Sequence, residues 1–249
     1  MVIGVSLSTN GLIVRVNNVG EYDRFISVLT DNYGVLSAYV HGARSLKNKN
    51  GAATSLLTYS HLSLDRKKDT YVVKEASAEK VFFNLRSDIE KLTLAQHFCE
   101  LAYVLAPREE KAQEYLRLVL NSLSFLTDDK KDKKLLKAVT ELKILSLSGY
   151  TPDLIACREC AKYEDTKMYF DAQNGEIYCE ECKHSGLSLI PINNSVLAAM
   201  RHITFSEFRD IYSFTLSDES LEELASVVER FLLSQVEHRF SALQFYKNL

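Results

Sequence analysis

Two Cys-x-x-Cys pairs, Cys157-Arg158-Glu159-Cys160 and Cys179-Glu180-Glu181-Cys182, stand eighteen residues apart, and no other feature restricts the fold of this chain as sharply. Two residues between cysteines let one tight turn aim both sulfurs at a metal about 2.3 Å away. The distance between the pairs is that of four-thiolate zinc sites, in which the intervening segment runs out and returns to deliver the second pair. Such a shell leaves no open position for water or substrate, so one structural Zn2+ on Cys157, Cys160, Cys179 and Cys182 is the expected occupant. Two redox Cys-x-x-Cys motifs, or disulfides, are the competing readings; a redox motif needs only one pair, set beside a βαβ pattern. Residues 167–170 and 176–178 flank a turn at 171–175, which predicts a short two-stranded ribbon between the pairs.

The fifth cysteine, Cys99, sits alone in an apolar helical stretch and reads as a buried small hydrophobe. Four paired cysteines and one odd one suit a reducing compartment better than a secreted disulfide scaffold. The start of the chain lacks a basic leader pattern, and no apolar run approaches membrane-spanning length, so a cytoplasmic protein without membrane contact is expected.

Residues 1–80 read as strands at 12–16, 24–30, 35–40, 56–64 and 70–76, with the turn Asp31-Asn32-Tyr33-Gly34 closing a hairpin. Six of the nine glycines lie in this part. Frequent turns, and glycines where strands bend, are what a small closed barrel needs. A five-stranded OB-type β-barrel is the first expectation, with an SH3-like barrel or a meander left open. From residue 87 the apolar period becomes helical. Ser87 is the expected cap of a helix through Leu105, and Pro107 marks a break. A second helix carries Tyr115 to Leu126, and a third runs from Leu135 to Leu145 and stops at Gly149. After the cysteine region, helices are expected from Asn194 or Ser195, across 205–214, and from a Ser217 cap to the end, with all three prolines between elements. The fold class is therefore α+β and multidomain. A barrel over 1–80 precedes a helical domain, 81–154 and 185–249, interrupted by a zinc finger at 155–184.

Net charge is −3, but it is unevenly spread: residues 1–80 carry +3, 81–150 carry +1 and 151–249 carry −7. No acidic residue occurs from Asn32 to Leu64, and the loop inside that span holds Arg44, Lys47 and Lys49 between Gly42 and Gly51. Cations on a flexible loop can follow a phosphate backbone without demanding a base sequence, and Tyr22, Tyr33, Tyr39, Tyr59 and Tyr71 could offer stacking faces. A solvated loop with tyrosines in the barrel wall is the competing reading. Arg66-Lys67-Lys68 is a second basic turn that by itself reads as solvated surface. Lys130, Lys131, Lys133, Lys134 and Lys137 are interleaved with Asp128, Asp129 and Asp132, which reads as a solvated helix start. No phosphate loop, dinucleotide fingerprint, His-Glu-x-x-His, nucleophile elbow or deaminase His-x-Glu occurs. The chain is not expected to be an enzyme.

Gly20-Glu21 followed by Asp23, then Thr30, Gly34, Gly42-Ala43-Arg44 with Lys47 and Lys49, form one series of matches. Gly149-Tyr150 with Pro152 and Leu154, the cysteine set with Gly175, and Arg239, Ser241, Leu243 and Phe245 continue it. In this order and total length the chain resembles the RecO family of bacterial recombination-mediator and DNA-repair proteins. The resemblance implies an N-terminal OB-fold, a helical domain with an inserted zinc finger, and binding of single- and double-stranded DNA. It also implies strand annealing, recombinase loading with RecR, contact with the C-terminal tail of single-strand-binding protein, and work at the nucleoid. By position, Arg44, Lys47 and Lys49 fall in the family's basic loop; Arg24, Arg66, Lys67 and Lys68 complete the expected DNA contacts. Two departures stand out: Ala161 replaces the glycine usual after the second cysteine, and the modest basic content of 1–80 suits an affinity that depends on partners. The alternative function is a zinc-stabilised protein-interaction adaptor with only incidental DNA contact.

Overall fold

A computed structural model describes residues 6–45, 48–67 and 70–249. By its contacts the chain divides into two compact units, one ending at Lys130 and completed by Phe240–Leu249, the other Lys131–Arg239.

The first unit is built on strands β1 (Ser6–Val19), β2 (Asp23–Thr30), β3 (Val35–Val40), β4 (Thr58–Lys67) and β5 (Thr70–Val81), with a short helix α1 (Asn50–Ala53) between β3 and β4. They close in the order β1-β2-β3-β5-β4, antiparallel except for the parallel β3–β5 pair. That closed five-stranded Greek-key barrel is the OB type. Alternate side chains fill its interior, among them Ile13, Ile26, Val28, Leu36, Val40 and Leu62. β1 begins well before the expected start at residue 12, and Gly11 lies within the strand. There it pairs with Thr30 of β2 and with Ser60 of β4, at the point where β1 passes from one neighbour to the other. A Cβ at Gly11 would stand 2.4 Å from Val28 Cγ1, so only glycine permits this approach.

Helices α2 (Ile89–Leu105) and α3 (Gln113–Thr127) complete this unit with α7 (Ser241–Tyr246). The cap of α2 is Asp88, not Ser87: Asp88 accepts from the Glu90 and Lys91 amides. Ser87 closes a 3-10 turn (Phe83–Ser87) and donates its hydroxyl to Asn84 instead. α2 packs against β1, α3 and α7 at once, which explains why Leu94, Phe98, Cys99 and Leu101 are all buried. Burial pushes the Cys99 thiol up to about 12, as befits an inert core residue. The linker after α2 is stitched to the β2–β3 hairpin by Val35 N–H to Pro107 O (2.9 Å), Glu109 N–H to Tyr33 O (3.0 Å) and Ala112 N–H to Asp31 O (2.7 Å).

In the second unit, α4 (Lys133–Leu147), α5 (Asn194–Phe205) and α6 (Asp218–Gln235) pack together beside a three-stranded sheet. α4 ends in a Schellman motif: Tyr150 N–H meets Leu145 O, Gly149 N–H meets Ser146 O, and Gly149 adopts φ +91°. The sheet is the expected ribbon, β6 (Met168–Asp171) with β7 (Glu176–Cys179), plus β8 (Leu189–Ile192). β8 contains Pro191, so that proline lies inside a strand after all; an edge strand can dispense with one N–H. α5 is capped by Asn193, one residue before the expected start. Of the helix expected across 205–214, Phe205 ends α5 and residues 206–214 form turns: His202 and the Ser213 hydroxyl both engage the Asp210 carbonyl, and the turn bonds are local. Ser217 does cap α6, but α6 is not the last helix, because α7 follows. Among the described residues no helix is long and apolar enough to cross a membrane.

The lysine run is not merely a solvated helix start. Lys137 is 4% exposed, 3.0 Å from Glu141 and 2.9 Å from Glu229 of α6. Lys131 donates to Tyr212 O at 2.8 Å, and Lys134 pairs with Glu222.

Candidate metal centre and nucleic-acid interface

The four cysteines meet because two turns face one another across the β6–β7 ribbon. In the first, Ala161 N–H returns to Cys157 O (2.9 Å) and Cys157 N–H reaches Lys162 O (2.8 Å). Ala161 takes φ +57°, the left-handed conformation that explains a preference for glycine here. Arg158 N–H to Ile177 O (2.8 Å) ties this turn to β7, whose last residue is Cys179; Cys182 N–H then folds back to Cys179 O (3.2 Å). The four Sγ atoms lie within 4.8 Å of one another, with Cys160 and Cys179 at 3.6 Å. Sulfurs at about 2.3 Å from a tetrahedral metal stand roughly 3.8 Å apart, so this donor set fits one closed four-coordinate ion. All five cysteines are free thiols, and the two pairs form one cluster instead of two separate redox motifs.

Cys157 and Cys179 are buried, Cys182 is half-buried and Cys160 is exposed. Burial opposes ionisation of Cys157, but amide donors from Cys160, Cys179 and Glu159 outweigh it and bring that thiol down to about 6. Hydrogen bonding to the Cys179 and Cys160 sulfurs pushes Cys182 up. The ribbon is fastened to α6: Phe170 stacks edge-on against Phe231 at 5.5 Å, and Gln235 donates to Ala172 O (3.0 Å) and Gln173 O (2.9 Å).

In the other unit, the β1–β2 turn and the loop after β3 come together through Asp23. Its carboxylate accepts from the Tyr39 hydroxyl (2.5 Å) and from the Gly42 amide (2.7 Å), with His41 at 3.9 Å. The Gly42 amide first, then Tyr39, hold Asp23 below the ordinary carboxylate range; the bond to Asp23 raises Tyr39 in return. Arg44 is exposed beside this knot and reaches Gly20 O at 3.3 Å. Arg24 braces α1 through Gly51 O (3.1 Å), yet its Nε is buried with no partner among the described residues. Burial and then the neighbouring Arg44 charge depress its pKa. Lys49 is exposed at the N-cap of α1.

The second basic turn is elsewhere. Arg66 faces Glu109 at 3.8 Å, and the Glu109 amide is bonded to Tyr33, whereas Arg24 pairs with Val40 at the far end of the same hairpin. The fold therefore groups Arg24, Arg44 and Lys49 and keeps Arg66 and Lys67 apart from them; Lys47 and Lys68 lie outside the described residues. Of the tyrosines, Tyr22 is the most open at 61% exposure, Tyr39 is committed to Asp23, and Tyr71 packs against the barrel core. The charge count points to the cations of this loop but not to Asp23, whose role in shaping it shows only once β2 and β3 are paired.

Two family profiles cover this architecture: "Recombination protein O N terminal" matches residues 5–82 and "Recombination protein O C terminal" matches residues 86–244. The chain belongs to the RecO family. Curated relatives agree in length as well as sequence. A "DNA repair protein RecO" of Acetivibrio thermocellus is 31% identical over 98% of this chain and 97% of its own length. One of Dehalococcoides mccartyi is 31% identical over 91% and 90%, and one of Symbiobacterium thermophilum 26% over 97% of each. The N-terminal RecO match ends one residue past β5, so it is the barrel with α1; the C-terminal RecO match holds α2 to α6, the start of α7 and the cysteine cluster.

Proposed function

We propose that this RecO chain acts in DNA repair and recombination as a non-enzymatic mediator. Its barrel, residues 1–80, binds single- and double-stranded DNA and promotes annealing of complementary strands. With RecR, and through the tail of single-strand-binding protein, it assists recombinase loading at the nucleoid in the cytoplasm. The observation that carries this reading is the Arg24–Arg44 pair. Two like charges are held close together, and one has a buried Nε donor without an acceptor among the described residues. An anion bridging the two guanidiniums would relieve that repulsion. Lys49 extends the same surface, and Arg66 and Lys67 give a second, separate contact; Lys47 and Lys68, proposed with them as DNA contacts, lie outside the described residues. Cations spread along a strand neutralise part of the phosphate repulsion that slows annealing.

Zinc would be held by Cys157, Cys160, Cys179 and Cys182, where its contribution is structural closure of the 155–184 finger. The chain's own residues then fix that finger on α6 through Phe170, Gln235 and the Ala172 carbonyl. Charge reversal of Arg44 and Lys49 tests the reading. Loss of oligonucleotide binding and of annealing, with zinc content and melting unchanged, is expected. Undiminished DNA binding would instead favour the interaction adaptor.

A further inference from the structure

Away from the Arg44 loop, the barrel unit carries a second cationic group that the basic-loop reading does not use. Tyr103 of α2 has two guanidiniums on it, Arg15 of β1 at 4.6 Å from the ring centroid and Arg108 at 5.2 Å. Both carbons therefore lie within about 10 Å of each other. Both arginines are exposed, and among the described residues neither has a carboxylate within 4.0 Å. The acidic neighbours in sequence do not neutralise Arg108, since Glu109 turns to Arg66. A tyrosine ring orients a guanidinium without cancelling its charge, and the planar fork stays free for a bidentate oxyanion.

The register shows where such a ligand would come from. Ile26, Val28, Leu36, Ala38 and Val40 face the barrel core, so Phe25, Ser27, Ser37 and Tyr39 face outward. Arg15 pairs with Ser27, and Ser27 with Ser37; one row further, Asn17 pairs with Phe25, and Phe25 with Tyr39. Ser27 is covered, at 4% exposure, so the accessible track leaves the Arg15–Tyr103–Arg108 group along exposed Asn17 and passes half-buried Phe25 and Tyr39 to His41 and Arg44. Arg15 and Tyr39 are separated by two strands and two residues, roughly 12 Å at ordinary strand spacings.

We infer that Arg15 and Arg108, positioned by Tyr103, form a second phosphate clamp that holds a single DNA strand after it has crossed the outer face of the barrel from the Arg44 loop. This inference rests on the proposed DNA binding by the barrel. A nucleic acid strand is favoured over an acidic protein segment because the clamp continues a surface that alternates cations with aromatic rings, the pattern that tracks a stacked single strand.

The test uses full-length protein, fluorescence anisotropy with a short and a long oligothymidylate at several salt concentrations, and thermal melting as the folding control. Arg15→Gln with Arg108→Gln should bind the long strand about tenfold more weakly. Its salt slope should be shallower by about 1.4, the value for two phosphates, with the short strand little affected. Tyr103→Leu should weaken long-strand binding while leaving the salt slope nearly intact, since the charges remain and only their placement is lost. Arg44→Glu with Lys49→Glu should weaken both strands. Wild-type affinity and slope in the Arg15/Arg108 variant, with binding lost in the Arg44/Lys49 variant, overturns the clamp and leaves the barrel reading standing. Failure of wild-type protein to bind either strand removes both. An Arg15/Arg108 variant that loses only binding to a polyglutamate peptide overturns the clamp in favour of a protein partner.

Discussion

Replacing Cys160 with serine separates a metal centre from a packed cluster of thiols, because Cys160 is exposed while Cys179 is fully buried. If packing alone holds the cluster, changing one atom of an exposed side chain moves stability by no more than about 0.5 kcal/mol. If four thiolates share an ion, exposure is irrelevant. Structural zinc contributes an apparent 10–16 kcal/mol, so losing one ligand of four costs roughly 3 kcal/mol at either position. For the unit Lys131–Arg239, that corresponds to a melting point lower by about 10 °C or more. The assay is metal stoichiometry by elemental analysis, paired with thermal melting of Cys160→Ser and Cys179→Ser before and after chelation. Both variants should fall short of one zinc per chain and melt below wild type by a similar amount, with chelated wild type lower still. A Cys160→Ser protein that keeps full zinc and wild-type melting, beside a Cys179→Ser protein that unfolds, would refute the shared-ion reasoning.

Other outcomes follow from single residues. Ala161→Gly removes a side chain from a left-handed position and should stabilise the finger by about 0.5–1 kcal/mol, read as a higher chelator-dependent melting point. Lys137→Met leaves the buried Glu141 and the half-buried Glu229 carboxylates without this cation and should cost about 3 kcal/mol in urea unfolding at pH 7. Burial works against the charge on Lys137, but Glu141 and Glu229 hold its pKa above the ordinary lysine value. The stability it contributes is therefore whole below about pH 10.4 and lost as pH rises through the elevated folded value, so the variant's deficit should shrink in strong alkali. Asp23 shifts the other way. Its contribution is present above about pH 3.9, the ordinary aspartate value, and disappears as pH falls through its depressed folded value. Protection of the Gly42 amide against hydrogen exchange, taken relative to its intrinsic rate at each pH, should fall in acid, and Asp23→Ala should reproduce that loss of protection at pH 7.

Much of this architecture was legible in the sequence where a local rule and the tertiary structure agree. The Asp31–Gly34 turn, the Gly149 stop and the Ser217 cap are set by neighbours within a few residues, and each stands as the pattern predicts. The cysteine spacing is a chain-reach argument and was equally readable. What escaped depends on partners distant in sequence. β8 exists because β6 has a free edge, and nothing in Leu189-Ile190-Pro191-Ile192 announces that edge. Residues 205–214 carry apolar spacing, but His202 and Ser213 claim the carbonyl that a helix would use. Lys137 looked solvated among four other lysines, because Glu229 arrives from ninety-two residues away. α7 is short, and its first amides are satisfied by Glu100 (3.0 and 3.1 Å), a contact between chain regions that no periodicity reveals. At the proposed DNA-binding surface, charge counting points to Arg44 and Lys49, whereas the separation of Arg66 and Lys67 from them follows from strand register alone.

The most direct test of the central claim is the salt dependence of single-strand binding by the intact protein, plotted as log affinity against log salt concentration. Each phosphate neutralised contributes about −0.7 to that slope. With Arg24, Arg44 and Lys49 engaged, the account predicts a slope of about −2 or steeper, made shallower by reversing Arg44 and Lys49. A slope near zero, or one that those reversals leave unchanged, would contradict a DNA-binding surface on the barrel.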